Sequence, residues 1–218
     1  LQRIFPKAPA FLLPYGFERG RVQASRPKEA DFTIGFVGRL DTHTKGLDLL
    51  MEAFHQFQKS HPDSRLWIIG EGEGRAYLEK FIAEKHLKNA TLWGKRFGPE
   101  KDELIAKMHV FAHPSRNEGL PTAVLEAAAL GVPTIVTRAT NVAEYVADFQ
   151  AGIAIDNESV AALVSALEQL YTAHQNNATA VYARGAEAML DQIFAWPTLV
   201  EKYDELYPDE SDFENFQG

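Results

Sequence analysis

The sequence predicts an α/β fold, a Rossmann-like doubly wound parallel sheet of about six strands with helices on both faces and a helical segment towards its carboxyl end. Three observations lead to this fold class. Short apolar runs alternate with amphipathic stretches of helical period from Phe32 to Asp156. Glycines and charged residues follow several of these runs, and only helical patterns occur after Asp156. An alternation of strands and helices favours a parallel sheet, because each crossover helix returns the chain to the same edge.

Each element can be read from its local pattern. The strands are predicted at the apolar runs FTIGFVG, RLWIIG, ATLWG, VFAHP, VPTIVT and GIAID. Helices are predicted between them at KGLDLLMEAFHQFQK, GRAYLEKFIAEKHL, EKDELIAKM, TAVLEAAAL and NVAEYVAD. Three further helices should follow, at SVAALVSALEQLYTAH, TAVYARGAEAMLDQ and PTLVEKYDELY. Ligands of such sheets bind beyond the carboxyl ends of the strands, which is where we look for a site.

Composition bounds the classes of protein that remain. With 218 residues, 45% of them hydrophobic, the chain can bury a full core. Its net charge of −8 argues against a nucleic-acid partner. The absence of cysteine excludes disulfides and thiolate metal sites, and the seven histidines show no metal-ligand spacing, so no metal is predicted. No apolar stretch reaches about 18 residues, so no transmembrane helix is expected.

A pair of glutamates is the most informative local feature. Glu118 and Glu126 stand eight positions apart, with Gly-Leu-Pro directly after the first. Since proline suits the first turn of a helix, Glu118 is predicted in a loop before a helix and Glu126 two turns inside it. The helix start between them offers free N–H groups and a positive dipole end, which suits an anion with hydroxyl groups on either side.

Two cations follow the first predicted strand. Arg39 and Lys45 flank the loop between that strand and the next helix, where they are well placed for a diphosphate. Arginine binds phosphate through two parallel N–H bonds, whereas lysine acts as a point charge. The alternative is a pair of solvated surface cations.

Three other segments receive weaker interpretations. The run Gly70–Gly74 (GEGEG) is read as a tight turn that borders the pocket rather than as a phosphate loop, because its two glutamates would repel phosphate. Arg96 and Phe97, after the third strand, are candidates for contacts to a base, against the alternative of a plain surface loop. His113 is interpreted as a structural residue rather than a catalyst.

Two segments carry a resemblance to a known family. SRNEGLPTAVLEAAALGVPTIVT resembles the E-x7-E signature of the retaining nucleotide-sugar glycosyltransferases of family 4, and GFVGRLDTHTKGLDLLMEAF resembles the first strand, phosphate loop and helix of the same family. The likeness covers about residues 12 to 207. It implies the GT-B fold, in which two Rossmann-like domains face each other across a cleft. This chain resembles the C-terminal, donor-binding domain.

The resemblance also assigns roles to residues. It implies that Arg39 and Lys45 neutralise the donor diphosphate, and that Glu118 hydrogen-bonds hydroxyls of the transferred sugar; these three are the candidate catalytic residues. Glu126 would accept from the ribose hydroxyls. The remaining candidate binding residues are Arg96 and Phe97 along the base, and Gly119, Leu120, Pro121 and Thr122 through their backbone.

Partners and location follow from the same resemblance. It implies a UDP- or GDP-sugar donor, no required cofactor, and a glycan or lipid-linked acceptor held by an N-terminal domain. It also implies a cytoplasmic location, with peripheral association of the parent protein at the inner face of a membrane. One departure concerns Arg138–Glu144, which keeps the glutamate but lacks the Gly-Gly pair that approaches the donor phosphate in the family.

The chain is divided into four parts. Residues 1–31 form an arm that resembles the inter-domain linker, and residues 32–195 form the Rossmann-like domain. Residues 196–207 are interpreted as a crossover helix, which without an N-terminal domain would expose apolar surface around Trp196, Leu199 and Tyr203; the alternative is a last helix packed on its own domain. Residues 208–218 form a tail resembling a tag. Because the chain opens on Leu1, we expect a fragment of a longer protein.

Two other classes of function stay open. One is a non-catalytic module that binds a sugar nucleotide or phosphate in the same pocket. The other is a different enzyme with the GT-B fold, such as a sugar-nucleotide epimerase or a glycan phosphorylase.

Overall fold

The computed structural model describes residues 13–21 and 27–206, and it is built on one six-stranded parallel sheet. The strand order is β3-β2-β1-β4-β5-β6, and every neighbouring pair is parallel. The strands are β1 (Thr33–Val37), β2 (Arg65–Ile69), β3 (Ala90–Gly94), β4 (Val110–His113), β5 (Thr134–Thr137) and β6 (Gly152–Ile155). The predicted fold class is confirmed.

Helices connect the strands and extend the chain beyond them. They are α1 (Leu47–Ser60), α2 (Arg75–Glu84), α3 (Gly98–Lys107), α4 (Thr122–Ala129), α5 (Ala143–Asp148), α6 (Val160–Gln175), α7 (Ala180–Met189) and α8 (Trp196–Leu206). A π-helical turn at Leu190–Phe194 joins α7 to α8, and a 3-10 turn lies at Arg19–Arg21. The helices predicted from periodicity are therefore present, with shifts of a few residues at their ends.

The sheet separates two apolar cores. On one face α1 and α6 pack together, and α1 buries Leu50, Met51, Phe54 and Phe57 at helical spacing. On the other face α3, α4, α5 and α7 cover a second core around Phe111. The central strand β1 is buried along its whole length, as expected for a parallel strand covered on both faces.

The strand order fixes where a ligand can bind. The direction in which successive strands are added reverses between β1 and β4, because β2 and β3 lie to one side of β1 while β4, β5 and β6 lie to the other. Loops leaving the carboxyl ends of β1 and β4 therefore turn to opposite faces and leave a crevice between them. The loop with Arg39 and Lys45 follows β1, and the loop with Glu118 follows β4.

A cluster of basic side chains lies at the opposite, amino-terminal edge of β1. The ring of His109 is 6% exposed and accepts a hydrogen bond at Nδ1 from the Thr33 amide, at 3.0 Å. The His174 ring lies edge-on at 4.4 Å between centroids, and the Lys28 ammonium donates to the Met108 carbonyl at 2.6 Å. Burial, aided by His174 and Lys28, lowers the pKa of His109 from 6.5 to about 4.

This cluster predicts a loss of stability in mild acid. In the unfolded chain His109 is protonated below about pH 6.5, whereas in the folded protein it is protonated only below about pH 4. The unfolded state therefore binds more protons between these pH values, and the free energy of unfolding falls as the pH is lowered through that range. We expect the free energy of unfolding to fall by about 1–2 kcal/mol more in wild type than in His109→Gln between pH 7 and pH 5. Urea titrations at the two pH values measure this difference. Equal losses in the two proteins would contradict it.

The last helix, α8, leaves an apolar surface uncovered. Trp196, Val200 and Tyr203 are 53%, 51% and 42% exposed. The prediction for Leu199 was wrong, because this side chain is fully buried in the domain and Val200 takes its place on the surface. A β-carbon on Gly16 would lie 2.3 Å from the Trp196 ring, so the arm runs directly over this indole.

Several sequence-based assignments lie partly or wholly outside the described residues. These include the tail at 208–218 and most of the arm at 1–31. Across residues 13–21 and 27–206, no helix combines the length and apolar character that a membrane span requires.

Candidate functional site

An ion pair joins two of the three candidate catalytic residues. Lys45 Nζ donates to Glu118 Oε2 across the crevice between the β1 and β4 loops. The two side chains are 15% and 21% exposed, so the pair is largely shielded yet reachable from solvent. Residues 73 positions apart in sequence thus form one polar centre at the switch point of the sheet.

Arg116 forms a second set of contacts between the β1 loop and the β4 loop. Its guanidinium forms two parallel bonds to Asp48, both 2.8 Å, in the first turn of α1, and it donates to the His43 carbonyl at 2.7 Å. Its amide also donates to the Thr44 carbonyl at 2.9 Å. Sequence reasoning missed this residue, although a cation two positions before Glu118 and an acidic residue at a helix start were available signals.

Gly46 makes the close approach of these loops possible. It adopts φ 65°, in the left-handed region that favours glycine, directly before α1. A β-carbon here would lie 2.0 Å from the carbonyl oxygen of Pro114. The loop that carries Lys45 can therefore lie against the β4 loop only because this position has no side chain.

The surroundings of Glu118 keep its carboxylate ionised. His113 Nε2 lies 3.6 Å from Glu118 Oε2 and, together with the Lys45 ammonium, lowers the pKa of Glu118 to about 2. The His113 ring is 2% exposed and stacked on Phe36, and its Nε2 lies 3.1 Å from Ser115 Oγ. Burial lowers the pKa of His113, so it stays neutral and buried, as expected for a structural residue.

The backbone after Glu118 is held by the loop that follows β5. Glu118 N donates to the Ala139 carbonyl at 3.3 Å, and Asn141 N donates to the carbonyls of Glu118 and Gly119 at 3.3 and 3.1 Å. This is the segment that lacks the family's Gly-Gly pair. Glu144 within it forms an exposed ion pair with Arg138 at 2.5 Å.

Helix α4 starts immediately after this backbone. It begins at Thr122, with Pro121 as the residue before its first turn, and none of the described residues caps it with a side chain. The amides of Thr122 and Ala123 have no hydrogen-bond partner within the described chain. The first amides of a helix lack an acceptor inside the helix, so they are free to bind a cap or a ligand. The predicted free helix start near Gly119 and Leu120 is therefore present.

Glu126 lies closer to the helix start than predicted. Because α4 begins at Thr122, Glu126 is its fifth residue and stands one turn inside rather than two. Its side chain is 21% exposed and its Oε1 accepts from Lys101 Nζ of α3, at 2.6 Å. Lys101 was not among the residues singled out from the sequence.

Arg39 occupies a more open position than Lys45. Its side chain is 72% exposed and lies 3.5 Å from the Asp41 carboxylate. It lines a cavity of about 680 Å³ together with Asp41, Glu71, Glu73 and Lys95. Lys45, Glu118 and Glu126 do not line this cavity, so Arg39 is separated from the Lys45–Glu118 pair.

The GEGEG run forms the far wall of that cavity as a turn, as predicted. Leu40 N donates to the Glu71 carbonyl at 2.9 Å, and Gly74 N donates to the Leu40 carbonyl at 2.7 Å. These bonds fasten the turn to the β1 loop and bring its two carboxylates into the cavity wall.

Arg96 and Phe97 lie on the loop between β3 and α3. Arg96 pairs with Glu100 at 2.7 Å and donates to the Lys95 carbonyl at 2.7 Å. The Phe97 ring is 75% exposed and free to stack on a planar group. Neither side chain forms a hydrogen bond or ion pair with Glu118 or Glu126 within the described residues. Within residues 13–21 and 27–206, no group of three or more His, Asp or Glu side chains is placed to hold a metal ion.

Comparison with known proteins identifies the family. The model of the glycosyl transferases group 1 family matches residues 20–186. Glycogen synthase of Mycobacterium tuberculosis is 29% identical over 189 residues, which cover 84% of this chain and 44% of the relative. D-inositol 3-phosphate glycosyltransferase of Corynebacterium urealyticum is 32% identical over 185 residues, covering 80% of this chain and 42% of the relative. The chain thus spans less than half the length of these two relatives.

Solved structures support the same fold. The crystal structure of HepE from Anabaena in complex with UDP superimposes with a TM-score of 0.72 at 20% identity, covering 88% of this chain and 55% of that one. The chain belongs to the group 1 glycosyl transferases, and its domain has the fold of the C-terminal half of a GT-B enzyme.

Proposed function

We propose that this domain binds the nucleoside-diphosphate-sugar donor of a retaining glycosyltransferase, with UDP- and GDP-sugars as the candidate donors. The observation that carries the proposal is the Lys45–Glu118 pair at the switch point, beside the open start of α4. A cation, a carboxylate and free helix amides are the groups that a diphosphate joined to a sugar requires.

Each part of the donor has a matching group. Lys45 and Arg39 would neutralise the charge of the diphosphate. The oxygens of the diphosphate would also accept hydrogen bonds from the free amides at the start of α4. Glu118, ionised at neutral pH, would accept hydrogen bonds from the sugar hydroxyls. Glu126 would accept hydrogen bonds from the ribose hydroxyls, and Arg96 and Phe97 would lie along the base.

The chemistry proposed for these groups is mainly electrostatic. As the bond between the sugar and the diphosphate breaks, negative charge grows on the leaving phosphate, and cations already in place would stabilise it. In the retaining, front-face transfer that the family resemblance implies, the leaving phosphate helps to deprotonate the acceptor hydroxyl. No metal or cofactor is part of the proposal.

The acceptor would be a glycan or a lipid-linked saccharide held by an N-terminal domain. Exposed Tyr15, Trp196, Val200 and Tyr203 support the presence of such a partner domain, since they place large apolar side chains on the arm and on α8. A cytoplasmic location, with the parent protein at the inner face of a membrane, stays a prediction from the resemblance.

Calorimetric titration with UDP, GDP and ADP tests the donor site directly. We expect saturable binding of one nucleotide, and a loss of about tenfold in affinity in both Glu126→Ala and Arg39→Ala, because each removes a charged hydrogen-bonding group. Lys59→Met is a suitable control, since Lys59 is exposed in the last turn of α1, away from the crevice.

Two results would contradict the proposal. One is the absence of binding by this chain and by the full-length protein. The other is binding that neither substitution weakens. If binding is found and both substitutions weaken it, an assay of donor hydrolysis or transfer by the full-length protein distinguishes a transferase from a non-catalytic binding module.

A further inference from the structure

The ion pair between Lys101 and Glu126 connects α3 to α4 beside the candidate site. Lys101 lies in the first half of α3, and its ammonium is 2.6 Å from Glu126 Oε1. The two side chains are 17% and 21% exposed, so neither charge is fully hydrated. Such a short, shielded contact restricts the rotamers of both side chains.

The neighbouring carboxylate competes only weakly for this lysine. Asp102 Oδ1 is 3.9 Å from Lys101 Nζ, beyond hydrogen-bond distance, and burial raises the pKa of Asp102. Lys101 is therefore committed to Glu126. With one carboxylate oxygen held by the ammonium, Glu126 Oε2 remains as an acceptor for a ligand.

We propose that Lys101 is the positioning residue that holds Glu126 ready to accept the ribose hydroxyls of the donor, so that recognition of the ribose depends on a residue outside the E-x7-E segment. The proposal rests on the function proposed above. Lys101 itself need not contact the nucleotide. It keeps the carboxylate in one orientation, which removes the cost of ordering it when the ribose binds.

A purely structural role makes a different prediction. If the pair only joins α3 to α4, loss of the pair lowers stability and weakens the binding of all nucleotides by the same factor. If Lys101 positions Glu126, loss of Lys101 weakens the binding of ribonucleotides more than the binding of analogues that lack a ribose hydroxyl. The ratio of the two affinities separates these roles, because general destabilisation cancels in it.

The experiment compares UDP and GDP with their 2′-deoxy and 3′-deoxy forms by calorimetry. We expect wild type to prefer the ribonucleotide to at least one deoxy form by about tenfold, and Lys101→Met to reduce that preference to about twofold. Lys101→Arg, which keeps the charge, should restore most of it. Lys107→Met is the matched control, since Lys107 ends the same helix and pairs with Glu29 at 3.7 Å.

The outcomes distinguish failure of the role proposed for Lys101 from failure of the proposed donor-binding function. Full ribose preference in folded Lys101→Met overturns the role of Lys101 and leaves the donor site intact. Wild-type binding without ribose preference also overturns it, since Glu126 would then not read the ribose. Absence of nucleotide binding by wild type and by the full-length protein overturns both. Urea unfolding of each variant shows that the proteins compared are folded.

Discussion

Replacing Lys45 by methionine is expected to weaken nucleotide binding by about 30-fold or more and to lower the free energy of unfolding by about 1–2 kcal/mol. Affinity falls because methionine keeps the length of the side chain and removes the cation proposed to meet the diphosphate. Stability falls because Glu118, 21% exposed, loses the ammonium that pairs with it. Calorimetry with the bound nucleoside diphosphate and urea unfolding at pH 7 measure the two effects.

The reciprocal substitution, Glu118→Gln, should also lower stability, but it should not weaken nucleotide binding. Removing the carboxylate leaves Lys45 without its partner, so the ammonium becomes fully available to phosphate. We expect the affinity for the nucleoside diphosphate to stay equal or rise, while transfer by the full-length protein is lost. Since the pKa of Glu118 is about 2, the carboxylate is ionised at pH 7 and the comparison is between a charged and a neutral side chain.

A double-mutant cycle isolates the pair. The variant that combines both substitutions should be more stable than the sum of the single losses predicts, because no charge is then left unpaired. Lys59→Met, on the exposed end of α1, should change neither quantity by more than about 0.5 kcal/mol. Nucleotide binding unchanged by Lys45→Met would refute the assignment of Lys45 to the diphosphate.

The fold, and the edge of the sheet at which the candidate residues lie, could be predicted because both depend on local patterns. Apolar runs and helical periods specify the strands and helices, and the carboxyl ends of parallel strands meet at one edge. Lys45 and Glu118 follow the first and fourth strands, so their proximity follows from topology. The same reasoning placed the start of α4 beside Glu118, and missed only the number of turns before Glu126.

The residues that support the site could not be predicted in the same way. Lys101 and Arg116 act through long side chains that cross between helices or loops, and their partners depend on how those elements pack. The same limit explains Leu199, since Leu199 and Val200 are adjacent apolar residues of α8 and only the packing of the helix decides which of them is buried. Local pattern determines elements, whereas tertiary packing selects the partners of individual charges.

Substitution of Gly46 by alanine is expected to be the most damaging small change in the crevice. We expect the free energy of unfolding to fall by about 3 kcal/mol or more and nucleotide affinity to fall by roughly tenfold. Left-handed backbone alone costs alanine about 1–2 kcal/mol. The remainder comes from contact with the Pro114 carbonyl oxygen, 2.0 Å from the new β-carbon, which backbone movement alone can relieve.

Gly131→Ala separates these two contributions. Gly131 has φ 67°, nearly the same as the 65° of Gly46, but its added methyl would meet only the Ala183 β-carbon, at 3.4 Å. It should therefore lose about 1–2 kcal/mol and bind nucleotide normally. Urea unfolding and calorimetry of both variants test the comparison. If the two lose equal stability, contact with Pro114 is not what requires glycine at position 46. If Gly46→Ala alone also loses nucleotide affinity, the close approach of the β1 and β4 loops is what places Lys45 opposite Glu118.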